Sequence, residues 1–156
     1  MRIAGVKSCS CVDGIGVRYV IFLQGCPHHC HKCHNPETWD FDGGYEITVE
    51  ELAEDISKHR LIDGITLSGG EPFNQQEECV KLLKLLPDDT NVWIYTGYLY
   101  GQIKNTELAG MADVIVDGKF EYDKKCESLY FGSANQRIIE KGSNLWQQTV
   151  KSTTSS

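Results

Sequence analysis

Four short runs of β-branched, aromatic and aliphatic residues, spanning 17–23, 64–68, 92–95 and 114–116, each give way to a glycine-rich or polar turn. Such runs, bounded by turn residues, read as buried strands. Between them the apolar period lengthens to that of helices. Thr48-Val49-Glu50-Glu51 is a capping box, in which Thr48 accepts from the third helical N–H while Glu51 reaches back. It predicts a helix carrying Leu52, Ala53 and Ile56 on one face. A second helix is expected from near Asn74 and Glu77 to just before Pro87, with Cys79, Leu82, Leu83 and Leu86 spaced i, i+3, i+4, i+7. A short third helix is expected over 102–109.

Strands alternating with helices imply right-handed βαβ units and an α/β fold with a mainly parallel sheet. The 156 residues are too few for a closed eight-unit barrel, which takes about 250. The expected architecture is therefore a partial, open βα barrel. Its polar and glycine motifs all fall just after strands, on the rim where parallel sheets place ligands. Residues 1–146 are expected to form a single domain. From Gln147 to Ser156 only Val150 is apolar, which predicts a disordered tail.

Composition narrows the class. The charged fraction of 24% and hydrophobic fraction of 40% are those of a globular protein. A net charge of −7 argues against gripping phosphate backbones, so no direct nucleic-acid partner is expected. No stretch approaches the roughly 18 apolar residues of a membrane span, and Met1-Arg2-Ile3-Ala4-Gly5 lacks a secretory core. The expected compartment is the cytoplasm, where seven cysteines read as thiols or ligands rather than disulfides. Cys79 is expected in the core, Cys9 and Cys11 in a loop, and Cys126 as a surface thiol.

The chemistry concentrates in Cys26-Pro27-His28-His29-Cys30-His31-Lys32-Cys33. Its C-x3-C-x2-C spacing supplies three thiolates, whereas a [4Fe-4S] cube is normally held by one per iron. The fourth iron is left open to a ligand. About 25 Å of extended chain separates Cys26 from Cys33, ample for the loop to fold back around one cube. Two other readings compete. A Cys3His zinc site would draw on His28, His29, His31 or His34, but no second cysteine knuckle accompanies it. A redox pair at Cys30 and Cys33 leaves Cys26 unexplained. One βα unit later, Ser68-Gly69-Gly70-Glu71-Pro72 offers backbone that a ligand can approach closely, because glycine has no Cβ. Glu71 is expected to orient that turn.

These segments resemble the radical S-adenosylmethionine enzymes, whose hallmark is C-x3-C-x2-C after the first strand of a partial or full βα barrel. Asp13-Gly14-Ile15-Gly16-Val17-Arg18, Phe22-Leu23-Gln24-Gly25-Cys26-Pro27, Cys33-His34-Asn35-Pro36-Glu37-Thr38-Trp39 and the Gly-Gly-Glu-Pro turn are similar to those of glycyl-radical activating enzymes. Within that group the small size and the Asn-x-x-Thr-Trp segment resemble the activating proteins of anaerobic ribonucleoside-triphosphate reductases. The resemblance runs from about Gly5 to Asn135.

It implies one [4Fe-4S] cluster on Cys26, Cys30 and Cys33, and S-adenosylmethionine chelating the open iron. It also implies cosubstrate contacts at Lys32, Cys33, His34, Ser68, Gly69, Gly70 and Glu71, and no side chain acting as acid or base. Many members carry an aromatic residue where this chain has Lys32, so His31 or His34 would supply a ring. Tyr95, Thr96 and Asp117 are candidates for ribose or methionine by strand-end position, and Arg137 for a carboxylate. The implied partners are the large glycyl-radical subunit of an anaerobic ribonucleotide reductase and a one-electron donor such as a flavodoxin. Activation of another glycyl-radical enzyme, a small-molecule reaction like that of carboxy-deazaguanine synthases, and a metal-binding interaction module are the alternatives.

Overall fold

The computed structural model describes residues 1–141; the expected tail at 147–156 lies outside them. Seven strands form one open sheet in the order β3-β1-β2-β4-β5-β6-β7. In chain order these are β1 (Arg2–Ser10), β2 (Arg18–Leu23), β3 (Tyr45–Glu46), β4 (Gly64–Gly69), β5 (Asn91–Tyr95), β6 (Val114–Asp117) and β7 (Arg137–Glu140). The four strands expected from the apolar runs, β2, β4, β5 and β6, are mutually parallel and central. β1 and β7 flank them antiparallel, and β3 pairs with β1 through Arg2 and Ile3 only. The α/β class and the open, partial barrel are thus as expected, with three peripheral strands added.

Helices α1 (Val49–Ser57), α2 (Gln76–Leu85), α3 (Tyr100–Ile103) and α4 (Glu107–Met111) make the crossovers. α1 starts where its capping box sits, with Glu51 N donating to Thr48 Oγ1 at 3.1 Å and Thr48 N to Glu51 Oε2 at 3.0 Å. The stretch 102–109 is two helices, not one. Thr106 caps the second by accepting from Ala109 N, since a hydroxyl that competes for backbone N–H groups favours a helix start.

Strand alternation divides the interior. Tyr19, Ile21, Leu23, Ile65, Leu67, Val92, Ile94 and Ile115 face the helices and pack with Leu52, Ile56, Cys79 and Leu82. Trp93, Val114 and Val116 face the opposite way and pack with Phe131 and Ile138. Cys79 is fully buried, as expected. Cys126 packs against this second cluster rather than standing free. Cys9 is exposed on β1, and Cys11 is exposed just beyond it.

Arg18, 1% exposed, closes the inner face at the strand N-termini. Its guanidinium donates to Thr66 Oγ1, Ile15 O, Asn91 Oδ1, Ile65 O and Asn91 O. Those bonds pin the Asp13–Gly16 turn to β4 and β5. Burial lowers its pKa to about 10.

Candidate metal and cosubstrate site

The cysteine loop leaves β2 at Gly25, whose φ of +102° is glycine territory. A Cβ there would stand 2.6 Å from the Phe41 ring. The returning chain clasps the base of the loop: Gly25 N donates to Thr38 O at 2.6 Å and Cys26 N to Trp39 O at 3.2 Å. Gln24 Nε2 adds bonds to Glu37 O and Asp40 O. Inside the loop, Cys33 N donates to Cys30 O at 3.0 Å. Cys26 is buried, Cys30 and Cys33 half-buried. All three line one cavity of about 110 Å³ together with Ser68, Gly69 and Gly70. Burial pushes the Cys26 and Cys30 thiols up, so a cation at this site would have to supply the force that removes their protons.

Glu71 is the hub on which this arrangement hangs. Its side chain is fully buried. Oε1 accepts from Thr96 Oγ1 at 2.7 Å and Phe73 N at 3.2 Å. Oε2 accepts from Gly97 N at 2.8 Å and lies 2.7 Å from His28 Nε2. One carboxylate therefore joins the cysteine loop, the Gly-Gly-Glu-Pro turn and the end of β5. It orients the turn, as expected, through bonds within the chain. Gly97 makes room for the histidine, because a Cβ there would meet His28 Cδ2 at 2.4 Å. Gly97→Ala is accordingly expected to expel the ring from Glu71 and cost about 1–3 kcal/mol, read as a lowered thermal midpoint.

Gly69 and Gly70 are demanded first by the chain itself. A Cβ on Gly69 would lie 2.7 Å from Leu23 N, and one on Gly70 2.5 Å from Gly25 O. The close approach inferred from the sequence is met by β2 and by the loop entrance, while both glycines also line the cavity. Lys32 reaches away, its ammonium 4.1 Å from the Tyr122 ring centroid, and is not among the residues lining the cysteine cavity. His34 packs against Phe120 at 4.8 Å. These two rings help line a groove of about 390 Å³ that shares Cys33, Ser68, Tyr95 and Phe120 with the cysteine cavity.

The strand-end candidates separate. Tyr95 lines both spaces; Thr96 lines the cysteine cavity too, with its hydroxyl committed to Glu71. Asp117 is fully buried and is held by Arg137, with Arg137 Nε 3.0 Å from Oδ1 and Nη2 on Oδ2, and by Tyr100 N. The carboxylate that Arg137 meets is thus internal. A larger cavity of about 440 Å³, lined by Ile62, Asp63, Gly64 and Pro87 among others, lies at the N-terminal ends of the strands. No cysteine is among its lining residues.

Among the described residues no three His, Cys, Asp or Glu side chains are grouped as a single-ion site. A cube asks for something different, one thiolate per iron around a larger body. Three buried side-chain atoms among the described residues lack a hydrogen-bond partner: Trp39 Nε1, Tyr95 Oη and Asn135 Oδ1. The first two belong to walls of the cysteine cavity. An unpaired buried donor costs about 1–3 kcal/mol, so a cavity with three thiols and two orphaned polar atoms suits a body rich in acceptors. The donor set fits an iron-sulfur cluster. Trp39 and Phe120 are wall residues to which sequence reasoning assigned no site role; Trp39 entered only through the Asn-x-x-Thr-Trp resemblance, and its place after the third cysteine gave no sign that it folds back beside the first.

Comparison with known proteins agrees. Residues 12–139 match the family described as a 4Fe-4S single cluster domain. The chain is 37% identical to the anaerobic ribonucleoside-triphosphate reductase-activating protein of Enterobacteria phage T4, over 91% of this chain and 96% of that one. It is 35% identical to the protein of the same name from Pasteurella multocida, over 81% and 89%. The pyruvate formate-lyase 1-activating enzyme of Escherichia coli is 44% identical, but the match spans only 64% of its length. With a cysteine cavity on the rim of an open βα half-barrel and near full-length relatives of one kind, the chain belongs to the 4Fe-4S single-cluster family and, within it, to the radical S-adenosylmethionine enzymes that activate glycyl-radical proteins.

Proposed function

We propose that this chain activates an anaerobic ribonucleoside-triphosphate reductase by generating the glycyl radical of its large subunit, using S-adenosylmethionine and one [4Fe-4S] cluster held by Cys26, Cys30 and Cys33. The observation that carries the reading is the convergence of those three cysteines with Ser68, Gly69 and Gly70 on one cavity at the C-terminal ends of parallel strands. Held by Cys26, Cys30 and Cys33, the cluster would supply one-electron reductive cleavage of the cosubstrate's sulfonium, the radical chemistry that would remove a hydrogen atom from the partner's glycine.

The chain's own residues position and shield. Glu71 and His28 fix the loop against the glycine turn, so the cluster and the methionine head group share one rigid reference. His34 and Phe120 line the adjoining groove, where aromatic surface suits adenine. Orientation and exclusion of water are what a radical step asks of a protein. No general base enters, so Glu71 serves through its hydrogen bonds. The groove lies open beside the cavity, which suits a peptide loop of a large partner better than an enclosed small-molecule site. A flavodoxin-like donor, cytoplasmic residence and a single catalytic domain complete the reading.

The near full-length match to reductase-activating proteins favours that partner over pyruvate formate-lyase, whose activating enzymes are longer than this chain's match to them. The test is anaerobic reconstitution of the full chain with iron and sulfide, chemical reduction, and incubation with S-adenosylmethionine and each candidate glycyl-radical protein. A glycyl EPR doublet in the reductase subunit is expected. A brown, iron-loaded chain that neither cleaves the cosubstrate nor yields a doublet in any candidate overturns the reading.

A further inference from the structure

Trp39 stands out among the groups that the proposed mechanism leaves unused. It ends the 3-10 turn Pro36–Thr38, with its own N–H bonded to Pro36 O. Its carbonyl accepts from Cys26 N at 3.2 Å, which ties it to the first cysteine of the motif. The His29 ring is stacked on its indole at 4.7 Å with an 8° interplanar angle. Held by backbone on one side and by a stacked ring on the other, the indole is fixed in place. It lines the cysteine cavity but not the adjoining groove, and its Nε1 is buried without a partner. Indole N–H can only donate.

The cavity that Trp39 helps to wall is the one whose three thiols would hold the cluster, so the indole stands in the shell of residues around the cluster's sulfurs. Tyr95 Oη is also unpartnered, but Tyr95 lines the groove as well, where a cosubstrate can satisfy it, and a phenol can accept as readily as donate. We propose that Trp39 is a positioning and tuning residue whose indole N–H donates a hydrogen bond to a sulfur of the bound cluster. The inference rests on the reading that Cys26, Cys30 and Cys33 hold that cluster. Hydrogen bonds to the sulfurs are one determinant of cluster potential. The reduced cluster carries one more negative charge than the oxidised one, so the N–H stabilises it more. Trp39 therefore makes the cluster easier to reduce.

The test uses the full chain, reconstituted anaerobically with iron and sulfide, as wild type and as Trp39→Phe. Phenylalanine keeps a ring for His29 to stack on, removes the donor and is smaller than indole. The midpoint potential of the variant is expected to fall, with its reduction equilibrium moved three- to tenfold toward the oxidised form, about 30–60 mV for one electron. Wild-type protein carrying 15N in its indoles is expected to show a nitrogen coupling in pulsed EPR of the reduced cluster, absent from the variant. If both proteins take up iron and sulfide equally and neither the potential nor the coupling differs, the hydrogen bond is overturned while the cluster assignment stands. If the variant fails to assemble a cluster, the coupling in labelled wild type decides alone: its presence supports the bond and its absence overturns it. A wild-type chain that takes up no cluster defeats the cluster reading itself, and with it this inference.

Discussion

Replacing Glu71 with Ala is expected to destabilise the protein by at least about 3 kcal/mol, because each buried donor left without its acceptor costs about 1–3 kcal/mol. Thr96 Oγ1, Phe73 N, Gly97 N and His28 would all lose their acceptor at a position with no exposed surface. Glu71→Gln should fall between wild type and the alanine variant. Whichever way the amide turns, its NH2 faces one backbone N–H, either Phe73 or Gly97, and orphans it at about 1–3 kcal/mol. Urea denaturation of the cluster-free chain reads both effects as lowered midpoints at constant slope. Equal midpoints for wild type and Glu71→Ala would show that the hub carries no stability. The same variants separate anchoring from proton chemistry. An anchor predicts that activity declines in step with disorder of the cysteine loop, Gln retaining more than Ala, with no change in the shape of the pH profile.

The central half of the fold was legible because its signal is local. β2, β4, β5 and β6 are buried on both faces, so their sequences are nearly continuous apolar runs. β1 carries the opposite signature. Its nine residues include Gly5, Ser8 and Ser10, only Ile3 and Ser10 are buried, and it is a strand because β2 lies beside it. That partner is settled by the fold, not by the residues of β1. β7 likewise has only Ile138 and Ile139 as apolar positions and is defined by its register with β6. β3, two exposed residues long, has no periodicity to read.

The candidate site divides along the same line. Cysteine spacing within eight residues and the Gly-Gly-Glu-Pro turn are written in consecutive letters, and both reach one cavity. The bond between His28 and Glu71 spans 43 positions, and nothing at either end announces the other. Four motif histidines suggested possible metal ligands; only His28 commits a ring nitrogen, and the other three pack against aromatic rings. His28 meets Glu71, His29 stacks on Trp39, His31 meets the Tyr122 edge at 5.9 Å and His34 packs on Phe120. Strand-end position named Tyr95, Thr96 and Asp117 alike, yet Thr96 and Asp117 are occupied by internal partners. A position rule identifies the rim without telling which side chains are free on it.

Substituting any one of Cys26, Cys30 or Cys33 with Ala is expected to reduce activation below detection and to collapse the brown absorption of the reconstituted protein. The motif has no spare ligand, because three thiolates already serve about four irons. Loss of one leaves two corners without protein, and the cluster has no other nearby thiol in the same cavity. Cys9 and Cys11 are exposed on and just beyond β1, and Cys79 is buried on α2 with its thiol 3.8 Å from Pro72 O. Cys9→Ala should therefore retain wild-type iron. Cys126 is the informative case, since it lines the groove that also contains Cys33. Cys33→Ala is expected to lose its iron with Cys126 in place, and Cys33→Ala combined with Cys126→Ala to behave the same. Iron and zinc analysis beside visible spectra distinguishes the outcomes. Full iron and sulfide in all three single variants would remove Cys26, Cys30 and Cys33 from the metal site. Stoichiometric zinc in a colourless wild-type protein would replace the cluster with a structural ion.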